Sequence, residues 1–214
     1  IEPLIPDLEF WARAQPINPT EDGLMPLALR MYARMDQRLA ADGLGIHLVA
    51  ARGPLTVASW LTGITPLMEG LLTQPEQVNK ILETVTTSLI RWLEAQLGTL
   101  RQPLCILLLD DLVGMVSRRT YQKMVEPHLQ RIFKHFSGLL RIYHNDTPCP
   151  HLLESLSQAG FDVFNFSHQT DIALVKEKMA GRVALMGNVA PLDLGVRGTP
   201  EQVFDAATLC LQKA

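Results

Sequence analysis

Short apolar runs alternate along this chain with longer segments of helical periodicity. Five such runs are rich in Val, Ile, Leu or Phe, and their length and flanking residues indicate strands rather than helices. They lie at 45–51, 104–109, 139–143, 162–166 and 182–186. Because each run is followed by a helical segment, the order predicts an α/β fold in which helices cover a parallel sheet. Both a doubly wound sheet and a barrel satisfy this order.

Recognisable end signals bound several of the predicted helices. Thr73 and Thr199 each begin a capping-box pattern, which predicts a helix from Thr73 towards Leu100 and a last helix after Thr199. Ser117 is placed to cap a helix that a proline, Pro127, would kink or break. The end signals therefore agree with the strand pattern.

The N-terminal part differs from the rest of the chain. Residues 20–42 predict one helix with an apolar face, whereas residues 1–19 contain four of the 14 prolines and predict an extended connection. No further boundary is visible, so the chain is interpreted as one domain over residues 1–214 that begins with this connection.

Polar residues gather directly after the apolar runs. In parallel α/β folds the carboxyl ends of the strands meet at one face, where ligands bind. The sequence therefore predicts a site at this face. We assign catalysis to His144, Asp146 and Asp111, and we assign substrate binding to Asp110, Asn145, His168, Asn188, Arg52 and Trp60.

The strongest local signal is the His-x-Asp spacing of His144 and Asp146. In an extended segment this spacing puts both side chains on one side, which suits a metal ion or a histidine oriented by a carboxylate. The competing interpretation is an ordinary turn with a nearby capping histidine. Asp110 and Asp111 follow a buried run, where either substrate binding or helix capping explains them.

Composition narrows the function classes. Apolar residues make up 47% and charged residues 19%, and the formal net charge is −3, which argues against a nucleic-acid surface. No apolar run is long enough to span a membrane. The three cysteines are odd in number and widely spaced, which is typical of a reduced, cytoplasmic protein.

Four stretches share a motif order along the chain. They are Gly53-Pro54-Leu55-Thr56 with Ala58-Ser59, Asp110-Asp111, Gln158-Ala159-Gly160-Phe161-Asp162 and Arg182-Val183-Ala184-Leu185-Met186-Gly187-Asn188-Val189-Ala190-Pro191. In this order they resemble the uroporphyrinogen decarboxylase superfamily, which also contains the cobamide-dependent methyltransferases. The resemblance implies a (βα)8 TIM-type barrel, of which about five of eight strand-helix units, the third to the seventh, are in this chain.

The methyltransferase branch of this superfamily transfers a methyl group between a corrinoid, in some cases on a partner protein, and a small acceptor. Its members bind zinc through a His-x-Cys pair after the fifth barrel strand and a further Cys near the eighth. His144 and Asp146 correspond to the pair, with Asp in place of Cys, and the further Cys would lie outside the five strand-helix units present here. The resemblance therefore implies zinc at His144 and Asp146, with a harder ligand than usual. We take this branch as the leading interpretation.

Two alternatives stay open. The decarboxylase branch uses no metal and no cofactor, binds a tetrapyrrole and is often dimeric, which implies a homodimer. Trp60 and Asp111 stand where that branch has a pocket Tyr and a pocket Ser, and carboxylates at the rim would repel a polyanionic substrate. The other alternative is a truncated barrel without catalysis that acts as a binding or scaffold protein.

Overall fold

A computed structural model describes residues 5, 7–179 and 181–213 of the chain. All five predicted strands are present, and they form one parallel sheet in which sequential strands are neighbours. This sheet is an incomplete barrel wall. The strands are β1 (Leu48–Arg52), β2 (Cys105–Leu109), β3 (Leu140–Asn145), β4 (Val163–Phe166) and β5 (Ala184–Met186).

Helical connections, long enough to cross between parallel strands, join the strands and cover one face of the sheet. The α-helices are α1 (Leu8–Ala12), α2 (Met25–Ala40), α3 (Pro54–Thr62), α4 (Ile64–Thr73), α5 (Pro75–Leu97), α6 (Arg118–Thr120), α7 (Glu126–His135), α8 (Leu153–Leu156), α9 (Ile172–Met179) and α10 (Pro200–Lys213). A 3-10 turn covers Asp111–Met115, and π-helical turns cover Tyr121–Val125 and Pro191–Val196.

Strand alternation divides the side chains between two faces. On the helix side, Tyr143 of β3 stacks on Phe164 of β4 and on Phe161, with ring centroids 5.9 and 5.1 Å apart. Phe133 of α7 meets Tyr143 edge to face. This aromatic cluster is fully or almost fully buried, and it fixes how β3 and β4 sit against the helices.

The opposite face of the sheet is the inside of the barrel wall. Because successive side chains alternate and the strands pair in register, one row of residues at the carboxyl ends lies side by side across the sheet. We call this row the rim row. It consists of Arg52, Leu109, His144, Asn165 and Met186.

The two capping-box predictions have different outcomes. At Thr199 the box forms, because Gln202 Oε1 accepts from the Thr199 N–H and Thr199 Oγ1 accepts from the Gln202 N–H. At Thr73 the predicted helix forms as α5, but the predicted cap is wrong. Thr73 is the last residue of α4, its hydroxyl donates to the Glu69 carbonyl, and α5 begins at Pro75 without a side-chain cap.

The predicted break at Pro127 is confirmed. Ser117 caps α6 by accepting from the Thr120 N–H, and the π-helical turn at Tyr121–Val125 ends two residues before Pro127, which lies in the first turn of α7. Proline has no N–H and its ring crowds the preceding turn, so the regular hydrogen-bond ladder cannot pass it.

The segment predicted as an extended connection contains the short helix α1. The Asp7 carboxylate accepts from the Glu9 and Phe10 N–H groups and so starts this helix. Residues 1–4 and 6 of the predicted connection lie outside the described residues. The helix predicted at 20–42 is α2, which starts later because Pro26 occupies its first turn.

Within residues 5, 7–179 and 181–213, no single helix has the length and apolarity needed to cross a membrane. The adjacent helices α3 and α4 meet the length and composition criteria only as a pair bent by 109°. Cys105, Cys149 and Cys210 are all described, and all three are free thiols.

Candidate functional site

Three of the predicted catalytic side chains lie together at the rim. His144 belongs to the rim row, and its Nε2 atom is 3.5 Å from Asp111 Oδ1 and 3.6 Å from Asp146 Oδ2. The Asp146 N–H donates to Asp111 Oδ1 at 2.9 Å, which ties the two loops together. His144 is largely buried, whereas the side chain of Asp146 is 67% exposed. The structure thus forms an imidazole with two carboxylates beside one nitrogen.

The other nitrogen of His144 contacts a residue that our sequence analysis did not single out. Nδ1 is within hydrogen-bond distance of Asn165 Oδ1, and Asn165 Nδ2 donates to the Met186 carbonyl at 2.7 Å. The signal was present in the sequence, because Asn165 is a polar residue at an inward position of an otherwise apolar strand.

Arg52 and Trp60 form one side of this cluster. The Arg52 guanidinium lies 5.9 Å above the centroid of the Trp60 ring and donates to Asp111 Oδ2 at 3.4 Å. Both side chains are partly exposed, so the pair presents an aromatic face and a cation next to His144.

Asp110 lies next to the cluster in sequence but has a different environment. It has no exposed surface, and its carboxylate accepts from the N–H groups of Leu55 and Thr56 and from the Thr56 hydroxyl. Burial raises the pKa of Asp110 to about 6, against the lowering effect of these hydrogen bonds. Asp110 therefore anchors the N-terminus of α3 to the end of β2, the helix-capping alternative noted above.

Gly53 makes this anchor possible. A Cβ atom at this position would lie 2.4 Å from the Asp110 side chain, closer than two such atoms can approach. The Gly-Pro of the sequence motif thus brings the start of α3 against a buried carboxylate.

Asn145 is also fully buried. Its Oδ1 accepts from the Thr147 N–H, and its Nδ2 lies 3.8 Å from Cys149 Sγ, so the side chain holds the turn after β3 on the helix side of the sheet. Burial raises the pKa of the Cys149 thiol to about 12, which keeps this cysteine protonated at neutral pH.

His168 and Asn188 line a separate cavity of about 380 Å³, between the ends of β4 and β5 and helix α10. Asn188 Nδ2 donates to the carbonyls of Ser167 and Thr170, so this side chain ties the loop after β4 to the loop after β5. Cys210 and Lys213 of α10 also line this cavity.

The residues predicted to hold zinc do not make a complete site by themselves. His144 and Asp146 are adjacent, but across residues 5, 7–179 and 181–213 no three His, Cys, Asp or Glu side chains are arranged to hold a metal ion. Both oxygens of the neighbouring Asp111 already accept hydrogen bonds. Zinc sites have at least three protein ligands, so His144 and Asp146 would supply part of such a site.

The arrangement of His144, Asp111 and Asp146 is also suited to accepting a proton. The Nε2 atom of His144 makes no hydrogen bond among the described residues, and it faces two carboxylates that would stabilise a positive imidazolium. A histidine held at one nitrogen, with the other nitrogen free to face a substrate, is the arrangement of a general base.

Comparisons with known proteins agree with this architecture. The family model described as "Uroporphyrinogen decarboxylase (URO-D)" matches residues 1–214. A methylated-thiol–coenzyme M methyltransferase of Methanosarcina mazei is 26% identical over 196 residues, which cover 89% of this chain and 51% of that protein. A uroporphyrinogen decarboxylase of Thermus thermophilus is 26% identical over 184 residues, which cover 83% of this chain and 51% of that protein.

A solved structure titled "methyltransferase from Methanosarcina mazei" superposes on the whole chain with a TM-score of 0.85 at 19% identity, and the match covers 62% of that structure. This likeness shows the fold. The chain spans about half the length of the curated relatives that it matches. The family match over all residues, together with five parallel strands that form part of a barrel wall, shows that the chain belongs to the uroporphyrinogen decarboxylase family.

Proposed function

We propose that this protein is a methyltransferase of the uroporphyrinogen decarboxylase family that moves a methyl group between a corrinoid and a small acceptor thiol. The observation that carries the proposal is the free Nε2 atom of His144, with the carboxylates of Asp111 and Asp146 3.5 and 3.6 Å away. These groups are hydrogen-bond acceptors, so they suit a substrate that brings an acidic hydrogen.

A thiol is the acceptor class that fits this set best. A thiol must lose its proton before its sulfur becomes a strong nucleophile. The methyltransferase relative carries "methylated-thiol" in its name, which supports the same class here. The uncharged part of the acceptor would lie against Trp60, and Arg52 would meet an anionic group on it.

The chain's own residues account for the proton in the transfer. A methylated corrinoid, which we propose is carried by a partner protein, would supply an electrophilic methyl group. The acceptor thiol gives its proton to His144 Nε2, and Asp111 and Asp146 stabilise the imidazolium that results. The sulfur then forms its bond to the methyl carbon, and the electron pair of the broken carbon–cobalt bond stays with the corrinoid.

The remaining predicted residues have distinct proposed roles. His168 and Asn188 line the second cavity, which we assign to the part of the acceptor or of the corrinoid that lies away from the reacting sulfur. Asp110 and Asn145 hold the loops that carry this site. The homodimer stays a prediction.

Decarboxylation of a porphyrinogen is the second candidate, because several relatives carry that name. The charges at the rim oppose it. The carboxylates of Asp111 and Asp146 would repel the carboxylates of such a substrate, and Arg52 is already engaged by Asp111 and Trp60.

The test compares both reactions with one set of variants. The purified protein is incubated with methylcobalamin and coenzyme M or a simpler thiol, and the methyl thioether is measured by mass spectrometry. A parallel reaction measures coproporphyrinogen formed from uroporphyrinogen. We expect the thioether, and we expect His144→Ala to lower its rate by about 10²- to 10⁴-fold.

The matched control is His135→Ala, which removes an exposed histidine that pairs with Glu94 on the outer helices. It should leave the rate unchanged. Thioether formation that is insensitive to His144→Ala would overturn the site. Coproporphyrinogen without any thioether would establish the decarboxylase instead.

Zinc content separates two forms of the proposal. We expect the thioether to form in samples in which elemental mass spectrometry finds no zinc, because the proposed step needs only the His144 base. One zinc per chain that disappears in both His144→Ala and Asp146→Ala would show that the thiol is activated by a metal, against the proton transfer proposed above.

A further inference from the structure

We infer that Asn165 is a positioning residue, which fixes the hydrogen of neutral His144 on Nδ1 and leaves the lone pair on Nε2. The catalytic use of that lone pair rests on the proposed function. The tautomer itself does not, since it follows from hydrogen-bond geometry alone.

Two hydrogen bonds run in series from His144 through Asn165 to Met186, and the Met186 carbonyl determines the direction of both. The Met186 carbonyl can only accept, so the group of Asn165 that faces it, 2.7 Å away, must be the amide NH2. The amide oxygen therefore points the other way, towards His144 Nδ1. Because an amide oxygen can only accept, Nδ1 must carry the hydrogen.

The strands themselves hold this relay in place. His144 pairs with Asn165 across β3 and β4, and Asn165 pairs with Met186 across β4 and β5. All three belong to the rim row, so the contacts lie across three adjacent strands and do not depend on loop conformation. Such a backbone-anchored relay has little freedom to switch to the other tautomer.

The consequence is a histidine that is already in its reactive form. An imidazole free in water exists in both tautomers, and only the Nδ1–H form presents a basic Nε2 atom to a substrate. Here Nε2 lies next to Asp111 and Asp146 and has no hydrogen-bond partner among the described residues. Asn165 thus keeps the Nε2 lone pair of His144 available for a proton without itself contacting the substrate.

The chain provides internal standards for the measurement. His47 Nδ1 contacts the Gln102 carbonyl at 2.7 Å, which requires a hydrogen on Nδ1, and His151 Nε2 contacts the Val116 carbonyl at 2.9 Å, which requires a hydrogen on Nε2. A long-range ¹H–¹⁵N correlation spectrum distinguishes the two patterns. Single His→Gln variants assign the signals.

At about pH 8.5, where an ordinary histidine is neutral, we expect His144 to show the Nδ1–H pattern of His47. A wild-type His144 with the Nε2–H pattern of His151 would overturn the inference. In Asn165→Leu, which removes the acceptor, the Nε2–H form of His144 should appear, while His47 and His151 keep their patterns. No change at His144 in this variant would equally contradict the role of Asn165.

Asn165→Asp is the rescue variant. It keeps an oxygen acceptor for Nδ1, so His144 should retain its hydrogen there, although the bond to the Met186 carbonyl is lost. Loss of the Nδ1–H pattern in this variant would mean that the Met186 contact, and not the acceptor oxygen, sets the tautomer.

Activity gives a separate result. In the methyl-transfer assay Asn165→Leu should lower kcat by about 10- to 100-fold with little change in KM, since losing the hydrogen-bond partner that orients a functional histidine has effects of this size. If the predicted tautomer is found but His144→Ala remains fully active, the proposed function fails and the positioning role stands. If His144→Ala is inactive but wild-type His144 carries its hydrogen on Nε2, the proposed function stands and the positioning role of Asn165 fails.

Discussion

The first three strands and the last strand of this sheet differ in how completely they are packed. Val49, Ile106 and Tyr143, from β1, β2 and β3, are fully buried against the helices. In β5 the first and third residues are exposed, and α10 has no buried residue. Its side chains Phe204 and Leu211 are 71% and 80% exposed.

The candidate site lies mainly on the well-packed strands. The imidazole and carboxylates of the candidate site come from the packed strands and the loops that follow them. The last strand contributes a main-chain carbonyl, that of Met186, which depends on backbone position and not on side-chain packing. The imidazole and carboxylates thus lie on the well-packed strands, and the loosely packed β5 contributes a main-chain hydrogen-bond acceptor.

The largest difference in stability is expected between two neighbouring substitutions. Asp110→Ala should lower the free energy of unfolding by at least about 3 kcal/mol, because three donors at the start of α3 lose their buried acceptor. Asp111→Ala, on an exposed pair, should change it by less than about 1 kcal/mol. Urea unfolding followed by circular dichroism measures both.

Equal losses of stability for the two variants would show that the packed region does not depend on the buried cap. Asp111→Ala, the variant with the smaller loss of stability, should keep its fold and still slow the proposed methyl transfer.

A somewhat smaller effect is expected at Gly53. Gly53→Ala should lower the free energy of unfolding by about 2–3 kcal/mol, since the new methyl group would lie within 2.4 Å of the Asp110 side chain and α3 would have to move. Gly138→Ala, where nothing lies within 4 Å of the added carbon, is the matched control. A neutral Gly53→Ala would mean that α3 shifts freely.

The pH dependence of stability should report on Asp36. Backbone hydrogen bonds from Ile46 and Arg101, together with the Arg101 side chain, lower the pKa of Asp36 to about 2. Because the pKa is lower in the folded state, this stabilisation is present above about pH 4 and is lost as the pH falls towards 2. Thermal unfolding between these pH values should show a flatter pH profile for Asp36→Asn.

The control for that experiment is Asp42→Asn, in the exposed turn after α2, which should follow the wild-type profile. An identical acid dependence in wild type and Asp36→Asn would contradict the role of this carboxylate.

The smallest effect is predicted for the loosely packed region. Leu211→Gln should change the free energy of unfolding by no more than about 0.5 kcal/mol, because the side chain is 80% exposed. A loss of several kcal/mol, at protein concentrations where the chain is monomeric, would show that α10 is packed as firmly as the first three strands.

Much of the fold was predictable because it depends on local pattern. Each of the five apolar runs became a strand, and the Thr199 capping box formed as its spacing predicts. The predicted cap at Thr73 did not form because α4 extends to that residue and uses its hydroxyl for another bond. A capping motif cannot reveal from its own four residues that a preceding helix already occupies it.

The candidate site was less predictable for the same physical reason. The rim position of His144, Asp146 and Asp111 followed from the order of strands. By contrast, Asp110 is satisfied by N–H groups more than 50 residues earlier in the chain, and the contact of Asn165 with His144 depends on strand register. Such long-range pairings have no local signature, so a buried cap and a substrate ligand look alike in the sequence.

The contacts among His144, Asn165 and Met186 form only when β3, β4 and β5 pair in the observed register. If β4 were to slip by one residue, its inward and outward faces would exchange, and Phe164 or Phe166 would stand where Asn165 meets His144. The sheet could still form its ladder, but the imidazole would lose its acceptor. A chain with this shifted register would therefore lose the proposed methyl-transfer activity while its sheet remained formed, so that activity would report on the alignment of three strands at once.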